Sequence, residues 1–142
     1  MSYLLDTNVI SELRRSRSRV DPAVRSWVST RRPDDLHLSV ITVLEFELGI
    51  VRVRRRDRRQ ATRLESWLED NVLQVFAGRV VPVDVAVARR AALRHVPEPR
   101  PERDALIGAT AATHGFTMVT RNVMDFESMG IALINPWRDA TS

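Results

Sequence analysis

Five short apolar segments, separated by longer stretches with helical features, constrain the fold of this chain more than any other feature. The segments are SYLL, LHLS, RVVPV, FTMVT and IALINP, at residues 2–5, 36–39, 79–83, 116–120 and 131–136. Helices are predicted between these candidate strands. Parallel strands need crossover connections of this kind, so the pattern predicts an α/β domain with a mainly parallel central sheet and helices on both faces.

Local signals mark where the predicted helices begin and end. We predict helices at about 8–15, 21–32, 40–49 or somewhat beyond, 58–76, 85–95 and 102–114, and a turn or short helix at 121–126. Asp21 is a candidate N-cap, because Pro22 follows it at the favoured first helical position. Asp84 can cap the helix that follows it, and Gly115 is a natural end for the helix before it.

Length and composition indicate one ordinary globular domain. The chain has 142 residues, and we predict a single domain over residues 1–138 with a C-terminal tail at 139–142. No apolar run approaches the roughly 18 residues of a membrane-spanning helix, and no signal-like segment opens the chain, so we expect a cytoplasmic protein without a membrane partner. The chain contains no cysteine, so any metal ion must have oxygen or histidine ligands.

The basic charge is carried by arginine alone and is unevenly distributed. All 22 basic residues are arginines, and the formal net charge is +4. Seven of them lie between Arg52 and Arg63, and four more lie between Arg14 and Arg19. Such clusters are solvated faces, partner-binding surfaces or contacts to nucleic-acid phosphates, which arginine neutralises.

Polar and acidic residues follow two of the predicted strands or lie near them. Asp6 follows the first strand, Asn122 and Asp125 follow FTMVT, Asp104 begins a helix, and Glu45 lies within an apolar helix. Ligands of parallel sheets bind outside the carboxyl ends of the strands, where these residues can meet. Each also has a structural alternative: Asp6 can cap a helix, Asp104 can stabilise a helix dipole, and Glu45 can face water.

Two features favour a shared site over these alternatives. The small residues within Gly108–Ala112 let their helix approach the sheet closely, which brings Asp104 near the sheet edge. Glu45 lies among apolar residues, so its side chain is poorly placed to be simply exposed to solvent. Converging carboxylates repel one another unless a cation neutralises them, and oxygen ligands suit Mg²⁺ or Mn²⁺. In an arginine-rich chain, such a site indicates phosphodiester hydrolysis.

Four sequence motifs stand out together: YLLDTNVISEL, LSVITVLEFELGI, ERDALIGATAATHGFTMVTRNVMDF and INPW. They resemble the motifs of the PIN-domain ribonucleases, in particular the VapC- and FitB-type toxins of bacterial type II toxin–antitoxin systems, and the resemblance extends over about residues 2–137. It implies a three-layer α/β/α fold with a central, mainly parallel sheet. It also implies an endoribonuclease that depends on Mg²⁺ or Mn²⁺ and hydrolyses RNA phosphodiester bonds.

The resemblance also assigns roles to individual residues. It places the metal ligands at Asp6 and Asp104, a further acidic residue at Glu45, and the fourth acidic position at Asn122 or Asp125. Residues expected to position the substrate are Thr7, Thr120, Arg54, Arg55 and Arg56. In some family members an aspartate stands where this chain has Asn122, so either residue can fill the fourth position.

The family further implies partners, and the sequence leaves one alternative function open. We expect an RNA substrate, a VapB- or FitA-like antitoxin, a homodimer and a toxin–antitoxin hetero-oligomer. The alternative is a non-catalytic RNA- or protein-binding module on a degenerate PIN fold. A phosphatase with an aspartyl nucleophile is disfavoured, because it needs a second aspartate two residues after Asp6, where this chain has Asn8.

Overall fold

A five-stranded parallel sheet forms the centre of the protein. The computed structural model describes residues 1–139, so the predicted tail, apart from Asp139, lies outside the described residues. The strands are β1 (Tyr3–Leu5), β2 (Leu36–Ser39), β3 (Val80–Val81), β4 (Thr117–Val119) and β5 (Leu133–Ile134). Their order is β3-β2-β1-β4-β5, and each neighbouring pair is parallel. The predicted fold class is confirmed.

In the described part of the chain, seven α-helices connect and cover the strands. They are α1 (Thr7–Leu13), α2 (Pro22–Ser29), α3 (Val40–Arg54), α4 (Arg58–Trp67), α5 (Val85–Leu93), α6 (Glu102–His114) and α7 (Val123–Phe126). Asp21 caps α2 by accepting a hydrogen bond from the Ala23 N–H at 2.8 Å. Asp84 caps α5 at the Val87 N–H, 2.9 Å away. Gly115 ends α6 in the left-handed conformation with φ +69°. The helix boundaries predicted at these three residues are confirmed. None of the helices within residues 1–139 is long and apolar enough to span a membrane.

Some elements differ from the sequence-based prediction. The helix predicted over 58–76 is not one α-helix: α4 ends at Trp67, and a π-helical segment follows at Leu68–Leu73. The Gln74 N–H donates to the Glu69 carbonyl five residues back, at 3.0 Å. The apolar side chains of Leu68 and Val72 in this segment are nevertheless buried. The strand predicted at 79–83 is only Val80–Val81, because Pro82 has no N–H to donate to a neighbouring strand.

The core lies on both faces of the sheet. Leu4 of β1 packs on one face with Ile107 of α6 and Met118 of β4. Leu5, the next residue, packs on the opposite face with Trp27 of α2 and Leu38. All six side chains are at most 2% exposed. Adjacent buried residues on one strand require both faces to be covered, which gives the three-layer arrangement.

The strand order creates a crevice at one edge of the sheet. Strands β1, β2 and β3 follow one another outward from the centre, and the chain then returns to place β4 on the other side of β1. The Asp6 N–H donates to the Val119 carbonyl at 2.9 Å, so the carboxyl ends of β1 and β4 are joined there. This is the topological switch point at which open α/β sheets bind ligands.

Candidate active site

The crevice at the switch point is open, polar and about 400 Å³ in volume. Asp6, Glu45, Asp104 and Asn122 line it, although they come from four separate parts of the chain. Asp125 does not line it but acts electrostatically on Asp104. The structure therefore brings three of the carboxylates named from the sequence to one crevice and places the fourth beside it.

Asp6 is the most buried of these carboxylates, with 6% of its surface exposed. Its Oδ1 accepts a hydrogen bond from the Thr7 N–H at 2.8 Å, and its Oδ2 accepts one from the Thr120 hydroxyl at 2.7 Å. Asp6 occupies the N-cap position of α1. However, its partner Thr7 is the first helical residue, whereas a capping side chain usually binds the N–H of the second or third. Asp6 caps this helix incompletely.

Burial and neighbouring charges act on the ionisation of Asp6. Burial, together with the smaller effects of the negative charges of Asp104 and Glu45, raises the pKa of Asp6 from 3.8 to about 6. The hydrogen bonds from Thr120 and Thr7 oppose this rise without cancelling it. A cation in the crevice would relieve both unfavourable effects on the ionised carboxylate.

Glu45 faces the crevice because the N-terminal residues of α1 hold it there. The Thr7 hydroxyl donates to Glu45 Oε1 at 2.6 Å and lies 3.0 Å from the hydroxyl of Thr42 in α3. The other carboxylate oxygen, Oε2, lies 3.9 Å from Arg103 Nε. The side chain of Glu45 is 26% exposed, whereas Glu47 is exposed to solvent. This agrees with the opposite faces that a helix gives to residues two positions apart.

Asp104 lies in the first turn of α6 and is half-buried. Burial raises the pKa of Asp104, the charges of Asp125 and Glu45 raise it further, and Arg103 lowers it. Gly108 lets α6 pack closely: a Cβ at this position would collide with Met129 and would lie 3.3 Å from Phe126. Gly108 thus allows a close approach to Phe126 of α7 and to Met129, which follows α7, rather than to a strand. The sequence-based expectation of a close approach to the sheet was wrong at this position.

Thr120 organises the turn after β4. Its hydroxyl donates to Asp6 and accepts from the Asn122 N–H at 3.0 Å and from Asn8 Nδ2 at 3.4 Å. Asn122 is exposed and lines the crevice, and its carbonyl accepts from the Asp125 N–H at 3.0 Å. Asn122 therefore has the position, and Asp125 the charge, that the fourth role requires.

The three arginines named from the sequence do not line the crevice. Arg54, Arg55 and Arg56 lie at the end of α3 and are exposed. Arg54 forms an ion pair with Glu65 of α4. Their predicted contact with RNA therefore applies only to a strand that extends beyond the crevice.

Sequence reasoning missed several residues of the crevice. Asn8, Ser11, Glu12 and Arg15 line it, at positions i, i+3, i+4 and i+7, which is the spacing of one helix face. That spacing was the signal that could have found them. Glu12 is buried: its Oε2 accepts from the Asp21 N–H at 2.8 Å, and its Oε1 lies 3.6 Å from the Arg15 guanidinium. On the opposite wall, the Arg121 guanidinium lies 5.2 Å from the ring centre of Trp137.

The donor set fits a hard divalent cation held largely by water. Within residues 1–139, no three carboxylate or histidine side chains lie close enough together to hold one metal ion. Mg²⁺ usually takes one or two protein carboxylates and keeps several waters, so a closed cage is not required. Asp6, with its pKa raised by burial, and the half-buried Asp104 are suited to that arrangement.

Comparison with known proteins identifies the class of this one. The PIN domain family matches residues 3–131, and the chain belongs to this family. It is 38% identical over 142 residues to the VapC ribonuclease Y4jK of Sinorhizobium fredii, covering 96% of this chain and 99% of the relative. It is 37% identical to the toxin FitB of Neisseria gonorrhoeae, again over 96% and 99% of the two chains.

A solved structure supports the same assignment. The crystal structure of FitAcB from Neisseria gonorrhoeae contains a chain that matches this fold with a TM-score of 0.84 and 34% identity. The match covers 96% of this chain and 99% of that chain. The resemblance inferred from the four sequence motifs is confirmed.

Proposed function

We propose that this protein is the toxin of a type II toxin–antitoxin system and acts as an endoribonuclease that depends on Mg²⁺ or Mn²⁺. The observation that carries the proposal is the buried carboxylate of Asp6, facing Asp104 and Glu45 at the switch point of the sheet. The ribonuclease and toxin relatives support it.

Each crevice residue has a role in this proposal. Asp6 and Asp104 would hold the ion, which when bound would lower the pKa of a water and offset negative charge on the phosphate. Glu45, fixed by the Thr7 hydroxyl, orients the attacking water. Asn122 or Asp125 orients a further water or the phosphate. Thr120 keeps the Asp6 carboxylate in place through its 2.7 Å hydrogen bond.

RNA cleavage with and without EDTA tests the proposal, and Asp6→Asn is the informative variant. We expect cleavage only with Mg²⁺ or Mn²⁺, and a loss of at least about 100-fold in the variant, the scale on which single electrostatic groups act in catalysis. Asp21→Asn is the matched control, because Asp21 caps α2 and asparagine caps equally well. Full metal-dependent cleavage by Asp6→Asn would refute the proposal. RNA binding without cleavage by the unmodified protein would favour the non-catalytic module.

We further propose that an antitoxin binds an apolar groove between α1, α2 and α4. The groove has a volume of about 400 Å³, and Ile10, Val28, Trp67 and Val75 are among the residues that line it. Val75 is 53% exposed. The FitAcB structure and the FitB relative support a partner of this kind. Val75→Glu should weaken co-purification with the product of a neighbouring short gene, whereas Val96→Glu, in an exposed loop, should not.

The exposed face of α3 supports the predicted homodimer. Val40, Leu44 and Val51 lie at positions i, i+4 and i+11 and are 38%, 49% and 51% exposed. Isolated exposed apolar residues are common, but residues at this spacing form one stripe. Sedimentation of the unmodified protein should give a dimer and that of Leu44→Asp a monomer. A dimer that survives this substitution would place the interface elsewhere.

The arginines at the end of α3 are proposed to contact RNA phosphates outside the crevice. Replacing Arg54, Arg55 and Arg56 with alanine should weaken RNA binding and flatten its salt dependence. Each lost contact to a single strand should lower the slope of log K against log salt by about 0.7. An unchanged slope would assign these residues to another partner or to solvent.

A further inference from the structure

A second cavity adjoins the carboxylate crevice between α1, α3 and α4. Its volume is about 170 Å³, and Ser11 and Glu45 line both the cavity and the crevice. The rings of Phe46 and Trp67 form part of its wall, with their centroids 5.0 Å apart and their planes at 84°. The cavity thus has an aromatic wall and lies about one helical turn from the acidic site, since Glu45 and Gly49 are four residues apart in α3.

Gly49 keeps this cavity open. It lines the cavity from the middle of α3, and a Cβ built on it would meet no atom within 4 Å. Glycine is unfavourable in a helix interior by about 1 kcal/mol relative to alanine. Neither close packing nor backbone conformation requires glycine here, which distinguishes Gly49 from Gly108. The space that Gly49 leaves in the cavity is therefore the property that distinguishes glycine from alanine at this position.

Two polar side chains at the rim are available to a ligand. Within residues 1–139, neither the Ser11 hydroxyl nor the Arg14 guanidinium makes a hydrogen bond. The Arg14 guanidinium lies 5.7 Å from the ring centre of Trp67. Arginine and serine both pair with the edges of nucleobases, and arginine also stacks on them.

The cavity lies on the path from the acidic site to the arginine cluster. Helix α3 carries Glu45 first, then the cavity residues around Gly49, and then Arg55 beyond its last turn. With a rise of about 1.5 Å per residue, Gly49 lies about 6 Å and Arg55 about 15 Å along the axis from Glu45. A single strand cleaved beside Glu45 and held at Arg55 would extend along α3 past the level of the cavity.

We infer that this cavity binds one nucleobase of the RNA, stacked on Phe46 or Trp67, next to the cleaved phosphodiester. The inference rests on the proposed ribonuclease function. A cavity of about 150 Å³ holds a benzene molecule, so the space is of the size of one aromatic ring. Aromatic walls, unpaired polar groups at the rim and flanking arginines together fit a base attached to a phosphate backbone.

Filling the cavity tests the inference, with Gly49→Leu as the filling variant and Gly49→Ala as the matched control. Both remove a helix-interior glycine, so both should unfold at higher temperature than the unmodified protein. Binding is measured in EDTA to a single-stranded RNA and to an oligomer of the same length whose sugars carry no bases. We expect Gly49→Leu to bind the RNA about 5- to 150-fold more weakly, the range of one lost stacked base. Its affinity for the base-free oligomer should be unchanged, and Gly49→Ala should stay within about twofold for both.

The outcomes separate this inference from the proposed function. Equal losses on both oligomers, or no loss on either, would overturn the base pocket. Weaker antitoxin binding with unchanged RNA binding would also overturn it and would assign the cavity to the protein partner. Metal-dependent cleavage without the base-specific loss would refute the pocket alone, whereas the base-specific loss in a protein without cleavage would refute the nuclease alone.

Discussion

Replacing Asp6 with asparagine should make the metal-free protein more stable at neutral pH. Burial, with the charges of Asp104 and Glu45, raises the pKa of Asp6 from 3.8 to about 6. A tenfold change in proton affinity corresponds to about 1.4 kcal/mol, so the ionised carboxylate costs the folded protein about 3 kcal/mol above pH 6. Asparagine carries no charge. Its side chain has only one acceptor oxygen for the Thr7 and Thr120 donors, which costs about 1 kcal/mol and leaves a net gain of about 2 kcal/mol.

The gain should depend on pH in a defined direction. Below pH 3.8, Asp6 is protonated in both the folded and the unfolded protein, and its ionisation costs nothing. Between pH 3.8 and about 6 the folded protein binds more protons, so wild-type stability falls as the pH rises. The difference between Asp6→Asn and the wild type should therefore grow from pH 4 to pH 6 and then stay constant.

Denaturant unfolding in EDTA at several pH values measures this difference, and adding Mg²⁺ should reverse part of it. An ion at ten times its Kd stabilises the protein by about 1.4 kcal/mol, and Asp6→Asn should lose most of that effect. The reasoning fails if Asp6→Asn and the wild type are equally stable at every pH, with or without Mg²⁺. That result is what a simple helix cap would give, because asparagine caps a helix as well as aspartate does.

Four further substitutions test neighbouring parts of the site and its support. Thr120→Val removes the hydroxyl that lowers the pKa of Asp6, so the acid limb of the pH–rate profile should move to higher pH; an unmoved limb would contradict the 2.7 Å hydrogen bond. Asp125→Asn should slow single-turnover cleavage more than Asn122→Ala, because Asp125 has the largest charge effect on Asp104; the reverse order would assign the fourth role to Asn122. Gly108→Ala should lower the free energy of unfolding by about 1 to 3 kcal/mol, since Met129 occupies the space of the new methyl group. A gain in stability would show that Met129 moves aside freely.

The sequence predicts the fold of this protein well because the signals for it are local. Alternating apolar and helical segments predict the parallel sheet, and Asp21, Asp84 and Gly115 mark helix ends where the structure has them. The break at Trp67 has no such signal, because an apolar stripe continues through it into Leu68 and Val72. An α-helix and a π-helical segment both bury that stripe, so periodicity alone does not separate them.

The candidate site is predictable only in part, for a related reason. Asp6 follows directly from the rule that ligands bind at strand ends, and its hydrogen bond from Thr120, which the family resemblance named, lies at the switch point. The helical spacing of Glu12 places it on the crevice face of α1, but its burial and its hydrogen bond from the Asp21 N–H depend on how the chain returns at the start of α2. The position of Arg54 could not be predicted from the sequence either, because its ion pair with Glu65 depends on how α3 and α4 pack.

The magnitudes at Asp6 favour function over capping as the reason for an aspartate at this position. A helix cap contributes about 1 kcal/mol, and asparagine or serine supplies it as well as aspartate does. Ionised Asp6 costs about 3 kcal/mol through its burial and its acidic neighbours, so capping alone would leave a net loss. Carboxylates whose pKa values are raised by burial and like charges concentrate at functional sites, because a bound cation or a reacting group recovers that energy. The first buried strand therefore ends in an aspartate that destabilises the empty fold, which is the arrangement expected of a cation ligand.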